Sequence, residues 1–139
     1  MRVLVTNVKN RKSFDIVSCL WRLGYLTVIT EGSSRHLFRL AHGQKIYQLQ
    51  TTVYEDFEED LLRLLQLFSD EELVYIPCEE HTTLLFLQFV ERNRNERLRY
   101  CLPSSSAFEL ARHEKKLSQF CNEKKFPCPQ EFSQRTSLG

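Results

Sequence analysis

The stretch Arg2–Leu23, RVLVTNVKNRKSFDIVSCLWRL, carries the strongest indication of the fold. It starts with a short apolar run, Arg2–Thr6, continues through a basic polar loop, Asn7–Lys12, and ends in a segment with helical spacing, Ser13–Leu23. Open parallel α/β sheets begin with strand, loop and helix in this order, and their ligands bind beyond the carboxyl ends of the strands. The sequence therefore places the first candidate site in the loop Asn7–Lys12.

The predicted first helix has apolar residues three and four positions apart, which is typical of one buried helix face: Phe14, Val17, Leu20 and Trp21. Ser13 is expected to cap this helix, and Asp15 in its first turn to complement the helix dipole. Gly24 is expected to end the helix in the left-handed conformation.

Strand-like and helix-like segments alternate along most of the remaining chain. The predicted strands are Tyr25–Thr30, Lys45–Leu49, Leu73–Ile76 and Arg97–Leu102, and the predicted helices are Arg35–Ala41, Tyr54–Phe68, His81–Glu91 and Ala107–Ala111, the last continuing or restarting through Lys115–Cys121. Five strands separated by helices predict a three-layer, Rossmann-like α/β sandwich around a mainly parallel five-stranded sheet. We expect one domain over residues 1–129 and a polar tail over 130–139.

The composition is that of an ordinary globular domain. The 139 residues are 42% hydrophobic and 27% charged, and their net charge of +1 gives no reason to expect a nucleic-acid or membrane partner. The five cysteines are odd in number and form no Cys-x-x-Cys motif, so we expect reduced thiols and a cytoplasmic location. The four histidines are scattered, and no metal site is expected.

The loop after the first strand limits the possible ligands. It contains no glycine, so it fits neither the dinucleotide-binding fingerprint nor the Walker motif. Its polar and basic residues, Asn7, Lys9, Arg11 and Lys12, surround a predicted helix N-terminus, which suits a carboxylate or phosphate. A solvated basic turn without a ligand explains the same residues equally well.

The fourth predicted strand leads into a second candidate region, which contains Glu79 and Glu80. These two residues fit the dipole of the following helix, and they also lie at the edge where the basic loop is expected. A carboxylate there could hold a substrate amine or a metal-bound group. Cys78 with His81 is a poor candidate for a cysteine hydrolase, because the neighbouring carboxylates would raise the pKa of the thiol. A phosphorelay receiver is also disfavoured, since the third strand is followed by no aspartate and the first loop is basic.

Three ordered stretches resemble the carbamoyl-phosphate-synthetase-like group of ATP-grasp carboxylate–amine ligases. The opening Val3-Leu4-Val5-Thr6-Asn7, with Arg11-Lys12-Ser13-x-Asp15-Ile16-Val17 and then Leu23-Gly24-Tyr25, resembles the start of that family. Ile76–Glu80 is similar to the end of its fourth strand. Leu117–Cys121 and Phe126–Pro129 are similar to the helix and Pro-x-Pro turn that lead into the ATP-grasp module, so the resemblance covers about residues 1–132.

The resemblance implies a pre-ATP-grasp domain, a Rossmann-like unit that lines one side of the substrate and nucleotide cleft. It implies that a small-molecule carboxylate or amine contacts the polar residues of the two loops: Asn7, Lys9, Arg11, Lys12, Glu79 and Glu80. ATP and Mg²⁺ are expected only for the complete ligase, because their main ligands belong to the later module. We therefore expect an isolated chain without catalytic activity, whose partner is the missing ATP-grasp module or a second copy covering an apolar patch around Phe126 and Phe132.

One family feature departs from its pattern here. Members carry Asp-Lys at the start of the last helix, where the lysine reaches the nucleotide phosphates, and the family spacing puts this pair on His113-Glu114. Lys115 and Lys116 follow one and two residues later and are weak nucleotide-binding candidates; an exposed helix face explains them as well. The alternative to a ligase domain is a standalone α/β module that binds a small anion or a protein partner.

Overall fold

The computed structural model describes residues 1–7, 11–31 and 46–127. The chain forms two compact units, Met1–Leu102 and a second that begins at Pro103. Lys9, the predicted helix Arg35–Ala41 and the predicted tail 130–139 lie outside the described residues, as does Phe132.

The first unit is an α/β layer structure around a five-stranded parallel sheet. Its strands are β1 (Arg2–Val5), β2 (Thr27–Glu31), β3 (Ile46–Gln48), β4 (Leu73–Ile76) and β5 (Leu98–Arg99), and its described helices are α1 (Arg11–Arg22), α2 (Tyr54–Leu67) and α3 (Glu80–Arg92). The strand order is β3-β2-β1-β4-β5, and all pairs are parallel. The predicted Rossmann-like three-layer fold is confirmed.

The two faces of β1 bury different parts of the core. Because successive strand side chains point to opposite faces, Val3 and Val5 pack with Val17 of α1, whereas Leu4 joins the larger cluster with α2 and α3. In that larger cluster the ring of Phe86 stacks on Tyr75, with centroids 3.7 Å apart. These two clusters make the sheet the middle of three layers.

The start of α1 differs from its prediction. The helix begins at Arg11, so Ser13 lies inside its first turn instead of capping it, and Asp15 lies beyond that turn. Ser13 is fully buried, whereas Phe14 is 39% exposed and does not belong to the buried stripe. The reason is local: the Ser13 hydroxyl donates to main-chain carbonyls at the end of β1, which turns this side of the helix toward the sheet. The predicted helix end is confirmed, since Gly24 has a φ of 79°.

The helices α2 and α3 carry the buried faces that the sequence predicts. Phe57, Leu61, Leu64 and Leu65 of α2 are buried, and Phe68 packs against the same cluster from a partly buried position. Buried residues run along much of α3, from Thr82 to Phe89. None of the described helices is long and apolar enough to cross a membrane.

The second unit contains two helices, α4 (Ser105–Arg112) and α5 (Glu114–Lys124). Ser104 caps α4, because its hydroxyl accepts the backbone N–H of Ala107 at 3.3 Å. No residue in the range 103–127 is buried, and Phe126 is 57% exposed. This pair of helices therefore has apolar side chains but no enclosed core of its own within the described residues.

Candidate functional site

The candidate site lies where the strand order reverses. The sheet runs from β1 toward β2 and β3 in one direction and toward β4 and β5 in the other, so the carboxyl ends of β1 and β4 form a topological switch point. Val5 is in register with Ile76, and both strands end there. The switch point is the edge of the sheet formed by two residues after β1, Thr6 and Asn7, and two residues after β4, Cys78 and Glu79.

A side-chain hydrogen bond joins the two loops across the switch point. The Asn7 amide Nδ2 donates to the Glu79 carboxylate oxygen Oε2. Asn7 is buried and has a left-handed backbone, with a φ of 56°. The structure therefore brings together two of the residues predicted from the separate loops, although they are 72 positions apart.

Hydroxyl groups form a layer of linked hydrogen bonds at the switch point. The Thr6 hydroxyl accepts the backbone N–H of Cys78 at 3.3 Å and lies 3.5 Å from the hydroxyl of Thr82. Thr82 donates to the carbonyl of Glu79 at 2.9 Å, and the Tyr75 hydroxyl donates to the carbonyl of Thr82 at 3.3 Å. Burial raises the pKa of Tyr75 well above its ordinary value, so this hydroxyl stays protonated. The layer fixes the backbone of both loops.

Ser13 also holds the first loop. Its hydroxyl lies 2.7 Å from the carbonyl oxygen of Asn7 and 3.2 Å from that of Thr6. Ser13, Thr6 and Thr82 were not among the predicted site residues. The adjacent pair Thr82-Thr83 in the first turn of a helix was the available signal, because threonine there often hydrogen-bonds to the preceding turn.

The Cys78 thiol is partly buried at the switch point, and its pKa is raised. Burial is the main cause and the charge of Glu79 adds to it, while contacts with Ser13 and Thr6 and the charge of Lys12 act in the opposite direction. A raised thiol pKa disfavours a nucleophilic cysteine, although its main cause is burial and not the two neighbouring carboxylates named in the sequence argument.

The basic residues of the first loop are open to solvent. The Arg11 side chain is 96% exposed, and its Nε lies 4.0 Å from the carboxylate of Asp15. Lys12 is also exposed, and both residues belong to the first turn of α1, which contains no acidic residue. Two cations in the first turn of a helix favour an anion, and Asp15 of the next turn already lies near one of them.

The two glutamates after β4 have different environments. Glu79 is the N-cap residue of α3, but its side chain accepts no capping hydrogen bond from that helix. Glu80 is exposed in the first helical turn, where a carboxylate complements the dipole. Glu79 is therefore directed toward the switch point, and Glu80 has the ordinary place of a dipole partner.

Lys115 and Lys116 belong to the second unit. They are exposed in the first turn of α5, after Glu114, the first residue of that helix. His113 Nε2 lies 3.2 Å from the carboxylate of Glu109. This contact lies within the helix pair and involves neither lysine. The exposure of Lys115 and Lys116 fits a phosphate-binding role and an ordinary solvent-exposed helix face equally well.

The described residues of the switch point offer hydrogen-bonding and charged groups. Within residues 1–7, 11–31 and 46–127 there is no group of three or more His, Cys, Asp or Glu residues that could hold a metal ion.

Comparison with family models, curated proteins and solved structures finds no match for this chain. The geometry offers a hydrogen-bonded carboxylate beside a basic helix N-terminus, which suits a small molecule carrying both a cation and an anion.

Proposed function

We propose that this chain is the substrate-side N-terminal domain of an ATP-dependent carboxylate–amine ligase of the ATP-grasp kind. The observation that carries the proposal is the hydrogen bond between Asn7 and Glu79 across the switch point. It joins the two loops in which the sequence resembles that family, at the place where ligands of doubly wound sheets bind.

The loops after β1 and β4 carry opposite charges, so each suits a different charged group of a substrate. The carboxylate of Glu79 suits the ammonium group of an amine substrate, since Asn7 already holds one of its oxygens. Arg11 and Lys12 suit a carboxylate, because both are cations in an exposed first helical turn. An amino acid carries both groups and is therefore the ligand class that we propose.

Nucleotide and metal binding would belong to the complete ligase. ATP and Mg²⁺ would be held mainly by an ATP-grasp module, with at most a weak contribution from Lys115 and Lys116. The module, or a second copy of this chain, would cover exposed apolar residues such as Phe126. We also propose a cytoplasmic location, which is consistent with free thiols at Cys19, Cys78, Cys101 and Cys121.

The proposal is tested by titrating the full chain with a panel of standard L-amino acids while amide shifts are followed by ¹H–¹⁵N NMR. Each amino acid is compared with its deaminated acid and with its decarboxylated amine. We expect saturable shifts at Asn7, Ser13, Cys78 and Glu79 for one or more amino acids, and weaker binding of both analogues because each lacks one of the two contacts.

A matched pair of variants locates the binding. Replacing Arg11 and Lys12 by alanine removes two charges from the site end of α1, whereas the control variant Arg22→Ala/Arg94→Ala removes two exposed charges elsewhere. Loss of binding in the first variant but not in the control supports the proposal. Shifts that cluster away from the two loops, or no binding by any amino acid, would reject it.

A standalone binding module is the second candidate, and one observation favours it. The helices of the second unit have no buried residue in the described range 103–127, so they fit a chain whose function is to dock on a protein. In the same titration, no binding by any amino acid would favour this module over the ligase domain.

A further inference from the structure

The backbone of Asn7 has a conformation that ordinarily favours glycine. Its φ of 56° lies in the left-handed region, where a β-carbon meets the neighbouring carbonyl and glycine has no such penalty. Asparagine tolerates this region better than most residues, but its backbone has no energetic advantage over that of glycine there. An asparagine at this position therefore indicates a role for its side chain.

The side chain and the main chain of Asn7 are both engaged. Its Nδ2 donates to Oε2 of Glu79, and its carbonyl oxygen accepts the Ser13 hydroxyl at 2.7 Å. Asn7 is buried, so the amide lies in surroundings where a hydrogen bond to a carboxylate is strong. The left-handed turn thus directs the amide toward Glu79 while Ser13 holds the turn in place.

The main chain and the side chain of Glu79 contact different residues. Its carbonyl oxygen accepts the hydroxyls of Thr82 and Thr83, each at 2.9 Å, which fixes its main chain at the start of α3. An acidic N-cap side chain would ordinarily accept a backbone N–H of the same helix, but the Glu79 side chain makes no such bond. Its carboxylate instead meets Asn7 of the other loop.

We infer that Asn7 is a positioning residue, whose left-handed backbone and amide aim the carboxylate of Glu79 at the ammonium group of a bound amino acid. The inference rests on the proposed function for the ligand and on the Asn7–Glu79 geometry for the mechanism. Asn7 acts through Glu79 and does not contact the ammonium group itself. A carboxylate that is already fixed loses less conformational freedom when the ligand arrives.

The decisive variant is Asn7→Gly, because glycine keeps the left-handed turn and removes only the amide. We expect a folded protein whose affinity for the tightest-binding amino acid of the panel falls about tenfold, the range of one lost hydrogen bond to a charged group. Binding of the deaminated acid is expected to stay unchanged, since that ligand has no ammonium group. A purely structural role of Asn7 would weaken both ligands equally.

Glu79→Gln provides a second variant that leaves the turn intact. It should lower the affinity for the amino acid by a similar factor, and Asn7→Gly/Glu79→Gln should lower it no further, because the two residues act as one unit. Losses that multiply in the double variant, or an Asn7→Gly variant that binds the amino acid as tightly as the original protein, would overturn the inference.

A measurement without ligand tests the positioning role of Asn7 separately from the proposed amino-acid binding. The coupling constants of the Glu79 γ-methylene protons report whether the side chain keeps one rotamer. We expect one rotamer in the original protein and averaging in Asn7→Gly; a rotamer that is unchanged in the variant would overturn the positioning role. If averaging occurs but no amino acid binds the original protein, Asn7 still positions Glu79 and the proposed function fails.

Discussion

The two ends of the parallel sheet use charge in different ways. At the amino ends of the strands, Arg2 donates to Glu71 at 2.7 Å, and its side chain is only 29% exposed. At the carboxyl ends, the Arg11 side chain is 96% exposed and reaches Asp15 at 4.0 Å. The contrast teaches that Arg2 and its partner are shielded within the fold, whereas Arg11 is accessible to a ligand.

Arg97 is the clearest structural charge at the amino end. Its guanidinium donates to the main-chain carbonyls of Leu65 and Phe68, at 3.5 and 3.3 Å, and to that of Ser69. It therefore caps the end of α2, where the carbonyl of Phe68 also accepts the backbone N–H of Glu71 at 3.0 Å. By contrast, no comparable set of main-chain contacts is found for Arg11 within the described residues.

The largest effect on stability is expected for Arg97→Ala. The carbonyls of Leu65, Phe68 and Ser69 would lose the Arg97 guanidinium together, and in the described part of the chain only that of Phe68 is known to keep a backbone donor, from Glu71. We therefore expect a loss of about 2 kcal/mol in the free energy of unfolding. Urea unfolding followed by circular dichroism measures it, with Arg94→Ala as the control because Arg94 is exposed. Equal stability of the two variants would mean that the comparison between the two ends is wrong.

A smaller effect, dependent on pH, is expected for Arg2→Gln. The hydrogen bond from Arg2 holds the pKa of Glu71 below its ordinary value of 4.5, and the charges of Arg2 and the amino terminus act in the same direction. A lowered folded-state pKa contributes stability above pH 4.5 that is lost as the pH falls through the folded value.

The titration of Glu71 by ¹³C NMR checks this prediction. The midpoint should lie below 4.5 in the original protein and move up toward 4.5 in Arg2→Gln. The variant should also lose less stability than the original protein between neutral and acidic pH. A midpoint that stays in place after the substitution would show that Arg2 does not hold this carboxylate.

The smallest effect on stability is expected at the carboxyl end, for Arg11→Ala/Lys12→Ala. Both side chains are exposed, so the free energy of unfolding should change by no more than about 0.5 kcal/mol. Urea unfolding under the conditions used for Arg97→Ala gives the comparison directly. A loss as large as that of Arg97→Ala would make these residues structural and would remove the basis for an anion site.

Hydrophobic patterning made most of the first unit predictable from sequence. The strand β4 was predicted with its observed bounds, and α2 was predicted within one residue, because their apolar residues follow the spacing of each element. The prediction for α1 was less accurate, because a serine before a helical pattern is a common cap. The actual bonds of Ser13 to Thr6 and Asn7 depend on how the helix packs against β1, which the sequence does not reveal.

The candidate site was predictable only in outline. The fold rule for parallel sheets directed attention to Asn7 and Glu79 separately. Their mutual bond depends on the strand order, which places β1 beside β4 and which no local pattern contains. The buried hydroxyl layer was missed for a related reason, since Thr6 and Thr82 resemble ordinary strand and helix residues until the two loops meet.

A crystal structure of the chain with the tightest-binding amino acid tests the central claim most directly. The account predicts the ligand's ammonium group within hydrogen-bonding distance of the Glu79 carboxylate, its carboxylate at the first turn of α1, and the Asn7–Glu79 bond intact. An amino acid bound elsewhere on the chain, or bound at the switch point without contact to Glu79, would contradict it.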